Sequence, residues 1–166
     1  PSLAESIIPV IIKKYNEVNP EVKFNLINLN SIDLIEDRYK PDIDLTICFN
    51  SKNQPSSRST VLKEGKHSLV SPIAFNIADE VYIDDIKHYP FVEITNLLSF
   101  YEESSITNYL KNQSIVMNTI VKTDSYSSAL SIVTDGMAVS ILDDNSIKKA
   151  DLKKVKISKI LDKKFR

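Results

Sequence analysis

The stretch from Val22 to Phe49, VKFNLINLNSIDLIEDRYKPDIDLTICF, decides the fold class because its hydrophobic period changes twice. Val22 to Leu29 carries Phe24 and Leu26 with polar residues interleaved, the alternation of a half-buried strand. Asn30 and Ser31 then offer a cap to a helix bearing Ile32, Leu34 and Ile35. Ile43 to Phe49 is almost continuously apolar, as strands are when a sheet is covered on both faces. Strand, helix and strand in that order call for a right-handed parallel crossover. The first part of the chain is therefore expected to be an α/β unit.

Upstream, Leu3, Ile7, Ile8, Ile11, Ile12 and Tyr15 recur at three- and four-residue spacings and predict an amphipathic helix over residues 3 to 15. Ser2 is its expected N-cap, Pro9 lies inside the pattern and predicts a local bend, and Asn19-Pro20 ends it. Downstream, a polar loop over residues 50 to 59 precedes strands at Thr60 to Lys63 and His67 to Ser71, the second closed by Pro72. A short helical stretch at Ile83 to His88 leads to a strand at Phe91 to Thr95. Ser99 and Glu102 form a capping box for a helix with Ile106, Tyr109 and Leu110. A strand follows at Ile115 to Lys122. The helix from Ser125 to Thr134 has Gly136 suited to its C′ position. Ala138 to Leu142 is again a strand, and Asp143 to Lys149 a short helix. Val155 and Ile157, set between lysines, read as a polar-faced strand near a sheet edge.

Composition narrows the function. The 166 residues are 42% hydrophobic and 26% charged, ordinary for a soluble globular domain. Nothing approaches a membrane span or the basic and apolar regions of a secretory signal, so a cytoplasmic protein with no membrane partner is expected. The one cysteine, Cys48, excludes an internal disulfide and a multi-cysteine zinc site. With Gly65 and Gly136 the only glycines, no phosphate-cradling GxGxxG or GxxxxGK[ST] loop can be written. Residues 147–166 hold nine of the 21 basic and two of the 22 acidic side chains, a balance of +7 against −8 for residues 1–146. The acidic body argues against nucleic-acid binding there, since phosphate contact needs clustered Lys and Arg.

Four landmarks, in order, resemble the regulatory domain of LysR-type transcription regulators. They are Ser2-Leu3-Ala4 with Ile7-Ile8-Pro9, Tyr15 and Asn19-Pro20-Glu21-Val22; Ser31 and Leu34 with Asp42-Ile43-Asp44-Leu45-Thr46-Ile47; His67 to Pro72 with Ile86 and Tyr89-Pro90-Phe91-Val92; and Thr123-Asp124-Ser125 through Asp135-Gly136-Met137-Ala138-Val139-Ser140-Ile141-Leu142. The match runs over about residues 1 to 145. Ala138 stands where the last motif has a glycine, and Asp143 where it has a proline.

The resemblance implies two Rossmann-like lobes of the type 2 periplasmic-binding-protein kind, joined by two crossover strands with a cleft between. Residues 1–63 plus 139–166 are expected to form lobe I and residues 64–138 lobe II, the DNA-binding helix-turn-helix domain being absent from this chain. A small-molecule effector in the cleft would control oligomer geometry, with homodimer or tetramer contacts through this domain and DNA contacted only through the missing N-terminal domain. The dimer would set residues 3–17 and 23–28 of one subunit against 125–135 of the other. No cofactor and no metal are implied.

Ligands of open α/β sheets bind beyond the carboxyl ends of strands, often at helix N-termini. That rule selects Ser2, Asn30, Ser31, Phe49 and Asn50, with Thr95 and Asn96 opposite. The resemblance implies effector contact at Ser2, Ser31 and the Thr95-Asn96 segment, while Asn50 rests on geometry alone. Ser2 and Ser31 could equally be helix caps only. Hydroxyls, amides and backbone N–H groups favour a small carboxylate or oxyanion, and neither Arg38 nor Arg58 is an evident anchor.

Rival readings remain. Cys48, His67 and His88 are the candidates for enzyme chemistry, but Cys48 ends a buried strand and the histidines fit surface or hinge positions. The pairs Asp42/Asp44, Asp84/Asp85, Glu102/Glu103 and Asp143/Asp144 point apart along their elements and read as solvated faces. A transporter's solute-binding protein shares the fold class and is the alternative function. A third reading makes the lysine tail a nucleic-acid-binding arm.

Overall fold

The structure, a computed structural model, describes residues 7–27, 43–45, 47, 65–95 and 106–162. It divides the chain into two compact units, Pro1–Glu64 and Gly65–Arg166.

In the first unit, α1 spans Ile8–Val18, with Ile7 at the N-cap and Asn19 at the C-cap. The bend expected at Pro9 is corrected, because Pro9 falls in the first turn of the described helix. There its missing N–H has no intrahelical partner to lose and its fixed φ suits the helix. The strand expected from Val22 is corrected as well: residues 22–27 are exposed and carry no ladder pairing among the described residues. Alternation marks a face, but a strand also needs a neighbour to complete its hydrogen bonds. The readings over residues 28–42 and 48–64, including Cys48 and the strand at Thr60 to Lys63, lie outside the described residues.

The second unit is a six-stranded mixed sheet. Its strands are β1 (His67–Pro72), β2 (Glu80–Val81), β3 (Phe91–Ile94), β4 (Thr119–Thr123), β5 (Val139–Asp143) and β6 (Val155–Ile160), in the spatial order β2-β6-β1-β5-β3-β4. β3 lies parallel to β4 and β5, and β1 lies antiparallel to β5 and β6. The helices are α2 (Ile83–Ile86), α3 (Ile106–Asn112), α4 (Tyr126–Thr134) and α5 (Asp144–Ile147).

Two apolar layers sandwich this sheet. Leu69, Phe91, Val139 and Ile141 pack with Ile83 and Ile86 of α2 and Leu110 of α3. On the other face Val70, Val92 and Leu142 meet Ala129 and Val133 of α4. β5 sends residues to both layers and is buried throughout, which accounts for its mostly apolar sequence. Ser140, a polar residue of that strand, donates its hydroxyl to the Val92 carbonyl at 2.9 Å and so carries no unsatisfied group into the core.

Local signals fix the ends of α4. Ser125 accepts the Ser128 N–H at 3.2 Å as the N-cap. At the other end Gly136, at φ 83°, donates to Val133 and Met137 donates to Ile132, the paired bonds of a Schellman motif.

Three readings are revised here. The strand expected from Ile115 begins at Thr119, because Ser114 turns the chain at φ 54° and the Ile115 and Asn118 N–H groups bond to Leu110 and Lys87 instead of a ladder. Ile157 is 37% exposed while Ser158 and Ile160 are buried, so β6 is covered on both faces rather than one. The return of residues 139–166 to the first lobe is also corrected. β5 and β6 flank β1 and belong with residues 65–138, a pairing that periodicity cannot reveal because it reports buried faces and not neighbours.

Candidate functional site

The parallel strands β3, β4 and β5 deliver their carboxyl ends to one edge of the sheet, and antiparallel β1 starts there. Thr95 follows β3 and is half-buried; its N–H donates to the Thr123 carbonyl at 2.8 Å. Thr123 Oγ1 in turn accepts the Ser125 N–H at 3.1 Å, and Ser125 Oγ lies 3.0 Å from Ser127 Oγ. Backbone bonding thus joins the ends of the two strands, and the hydroxyls of Thr123, Ser125 and Ser127 are bonded into the start of α4.

Acidic groups stand at the end of β5. Asp143 is buried, accepts the N–H groups of Asn145 and Ser146 at 2.9 and 3.3 Å, and accepts the Ser146 hydroxyl at 2.6 Å. Asp144 accepts the Lys66 N–H through Oδ2 at 3.1 Å. His67 sits opposite Asp143 in the ladder. Burial pushes its imidazole below the usual histidine range, partly opposed by the carboxylates of Asp143 and Asp144. His88 is exposed, its ring 4.3 Å from Tyr89.

Of the seven residues selected from the sequence, Thr95 is described and stands on this edge. Ser2, Asn30, Ser31, Phe49, Asn50 and Asn96 lie outside the described residues. Sequence reasoning missed Thr123 and Ser125 as neighbours of Thr95, having read them as a landmark and a helix cap. The available signal was the position of Thr-x-Ser at a strand-to-helix junction, where hydroxyls gather.

The paired carboxylates hold structural posts. Asp84 pairs with Lys87 at 2.9 Å and Asp85 accepts the Tyr82 N–H at 3.0 Å. Glu102 and Glu103 lie outside the described residues. Among the described residues no group of three or more His, Cys, Asp or Glu is arranged to hold a metal ion, and no helix is long and apolar enough to cross a membrane. A depression between β3, β5 and α3, lined by Phe91, Ile94, Ile106, Leu110 and Ile141, leaves about 20 Å³, room for one water rather than an organic ligand. In the lysine-rich tail, Lys156 pairs with Asp79 at 2.8 Å and Lys159 with Glu80 at 2.7 Å, so both ammonium groups are engaged within the chain.

Comparison with known proteins agrees with this architecture. The effector-binding domain of QuiR in complex with shikimate superposes with a TM-score of 0.72 at 16% identity, covering 97% of this chain and 77% of that one. The regulatory domain of CcmR from Synechocystis, in complex with 2-PG, gives 0.78 at 11% identity over 96% and 76%. HinK, a LysR family transcriptional regulator from Pseudomonas aeruginosa, gives 0.68 at 15% identity, and the chain spans 56% of its length. No curated protein sequence matches. These likenesses establish a fold of the type 2 periplasmic-binding-protein kind. The sequence profile described as LysR substrate binding domain matches residues 1–158, nearly the whole chain, and the protein accordingly belongs to the LysR substrate-binding domain family.

Proposed function

We propose that this domain senses a small carboxylate or oxyanion and transforms nothing. The supporting observation is the sheet edge at Thr95, where strand ends and a helix start supply hydroxyl and N–H groups and the acidic groups are engaged by the protein itself. A hydroxyl-and-amide lining binds an anion by hydrogen bonds and offers no nucleophile with an adjacent base. The contacts we propose are Ser2, Asn30, Ser31, Phe49, Asn50, Thr95 and Asn96. QuiR and CcmR, whose structures hold shikimate and 2-PG, are consistent with this ligand class.

Family membership favours a regulator over a transporter's solute-binding protein. In the full-length regulator the effector would shift oligomer geometry and, through a separate DNA-binding domain, promoter contact in the cytoplasm. This domain would itself form the homodimer, with residues 3–17 and 23–28 against 125–135 of a second copy.

A thermal-shift screen against small carboxylates, amino acids and inorganic oxyanions tests the reading, because a ligand that binds only the native state raises its melting temperature. At least one carboxylate or oxyanion is expected to do so, with Ser31→Ala and Thr95→Ala weakening the shift. A flat response across the screen, or shifts untouched by both substitutions, would overturn it.

A further inference from the structure

The boundary between the two units falls between Glu64 and Gly65, and the first residue beyond Gly65 is held at both of its backbone polar groups by one partner. The Lys66 N–H donates to Asp144 Oδ2 at 3.1 Å, and the Asp144 N–H donates to the Lys66 carbonyl at 3.2 Å. These bonds continue the antiparallel ladder beyond its last rung, His67 opposite Asp143, by one residue toward the boundary. Gly65 itself stands in the open: a Cβ there would meet no heavy atom within 4 Å.

Asp144 is in turn anchored from below. It is the first residue of α5, whose N-cap Asp143 takes two N–H groups and the Ser146 hydroxyl on its carboxylate. Asp143, Asn145 and Ser146 are buried, so the platform carrying the Asp144 carboxylate has little freedom to shift. Asp143 occupies the place of a proline in the motif this segment resembles, and a proline has no side-chain acceptor with which to cap the turn.

We propose that Asp144 is a latch that fixes the chain to the sheet from Lys66 onward, so that local opening at the start of β1 requires this contact to break first.

The test needs no effector, so its failure is distinct from failure of the sensing assignment. Amide hydrogen exchange is followed at single-residue resolution in the ligand-free protein, alongside limited trypsin cleavage after Lys66. A hydrogen bond to a charged acceptor is removed by Asp144→Ala, and Lys66 exchange should rise roughly tenfold to a hundredfold. Cleavage of the Lys66–His67 bond should rise with it, while the amides of Leu69 and Val92 keep the parent's protection. Asp144→Asn keeps an acceptor but loses the charge, and is expected to accelerate Lys66 exchange by a smaller factor. It decides the question should the alanine variant not fold. Unchanged Lys66 exchange, or equal acceleration at Lys66, Leu69 and Val92, overturns the latch, the second result making Asp144 a general stabiliser of the sheet.

Discussion

The backbone N–H of Thr95 donates to the carbonyl of Thr123 across 2.8 Å, one step beyond the last residue of β3. The bond ties the exit of β3 to the exit of β4 without using either side chain. The backbone thereby sets the position of Thr95, whose hydroxyl is one of the proposed ligand contacts. Thr95→Ala is expected to leave the melting temperature of the free domain within about 1 °C of the parent, since exposed or half-exposed changes that spare the backbone cost little. Affinity for the carboxylate or oxyanion found in the screen should fall roughly tenfold to a hundredfold, the worth of one hydrogen bond to a charged acceptor. Titration calorimetry on both proteins reads the two effects apart.

Burial holds the His67 imidazole below its ordinary value of 6.5 in the folded domain. Between that value and the lower folded one, the unfolded chain binds a proton that the folded chain does not, so stability rises with pH across this window. It is complete above pH 6.5 and lost as the pH falls from there, at up to about 1.4 kcal/mol per pH unit, until the folded imidazole also charges. Urea denaturation at pH 7.5, 6.5 and 5.5 should show this loss in the parent and a flatter profile in His67→Gln. Equal slopes for the two proteins would contradict the assignment.

Gly136 closes α4 at φ 83° with open space where a side chain would stand. Gly136→Ala therefore meets no steric obstacle and tests the backbone alone. It should cost about 1 kcal/mol, the penalty of an L-residue in the left-handed region. A melting temperature lower by roughly 2 to 8 °C is expected by calorimetry. Ser125→Ala, which removes the cap at the other end of the same helix, should cost about as much.

Ile141 is 1% exposed in the central strand, whereas Ile120 is 48% exposed on the edge strand β4. Truncation to alanine should cost about 2–5 kcal/mol at Ile141, through lost transfer energy and a residual cavity. At Ile120 the loss should stay under about 1 kcal/mol. Chemical denaturation of the two variants measures the contrast.

Val10, Val18 and Leu26 are 54%, 79% and 62% exposed, and α1 buries none of its residues. An apolar surface of this kind marks an association site. The proposed dimer covers it, so Val10→Asp and Leu26→Asp should each lower the dimer fraction in sedimentation equilibrium while circular dichroism stays unchanged. A parent that sediments as a monomer at tens of micromolar would rule that dimer out.

Much of the second unit was legible before any coordinates. The strands at His67, Phe91 and Ala138, the helix capped by Ser125 and its stop at Gly136 are all written in local patterns, because caps, turns and two-residue alternation act over a few neighbouring residues. The edge bearing Thr95 followed from a general rule about strand ends. Its companions Thr123 and Ser125 did not, since they join Thr95 through a hydrogen bond between segments 28 residues apart in Thr95 and Thr123.

The sequence by itself determined most element types of the second unit and the family, since composition, period and ordered landmarks are local properties of the chain. Tertiary structure alone decided that β5 and β6 enclose β1, that residues 139–166 stay with residues 65–138, and that Asp144 grips Lys66. Those choices are made by hydrogen bonds and apolar contacts between segments far apart in the chain, Ser68 pairing with Lys159 in the β1–β6 ladder. Burial periodicity carries no record of which neighbour supplies the contact.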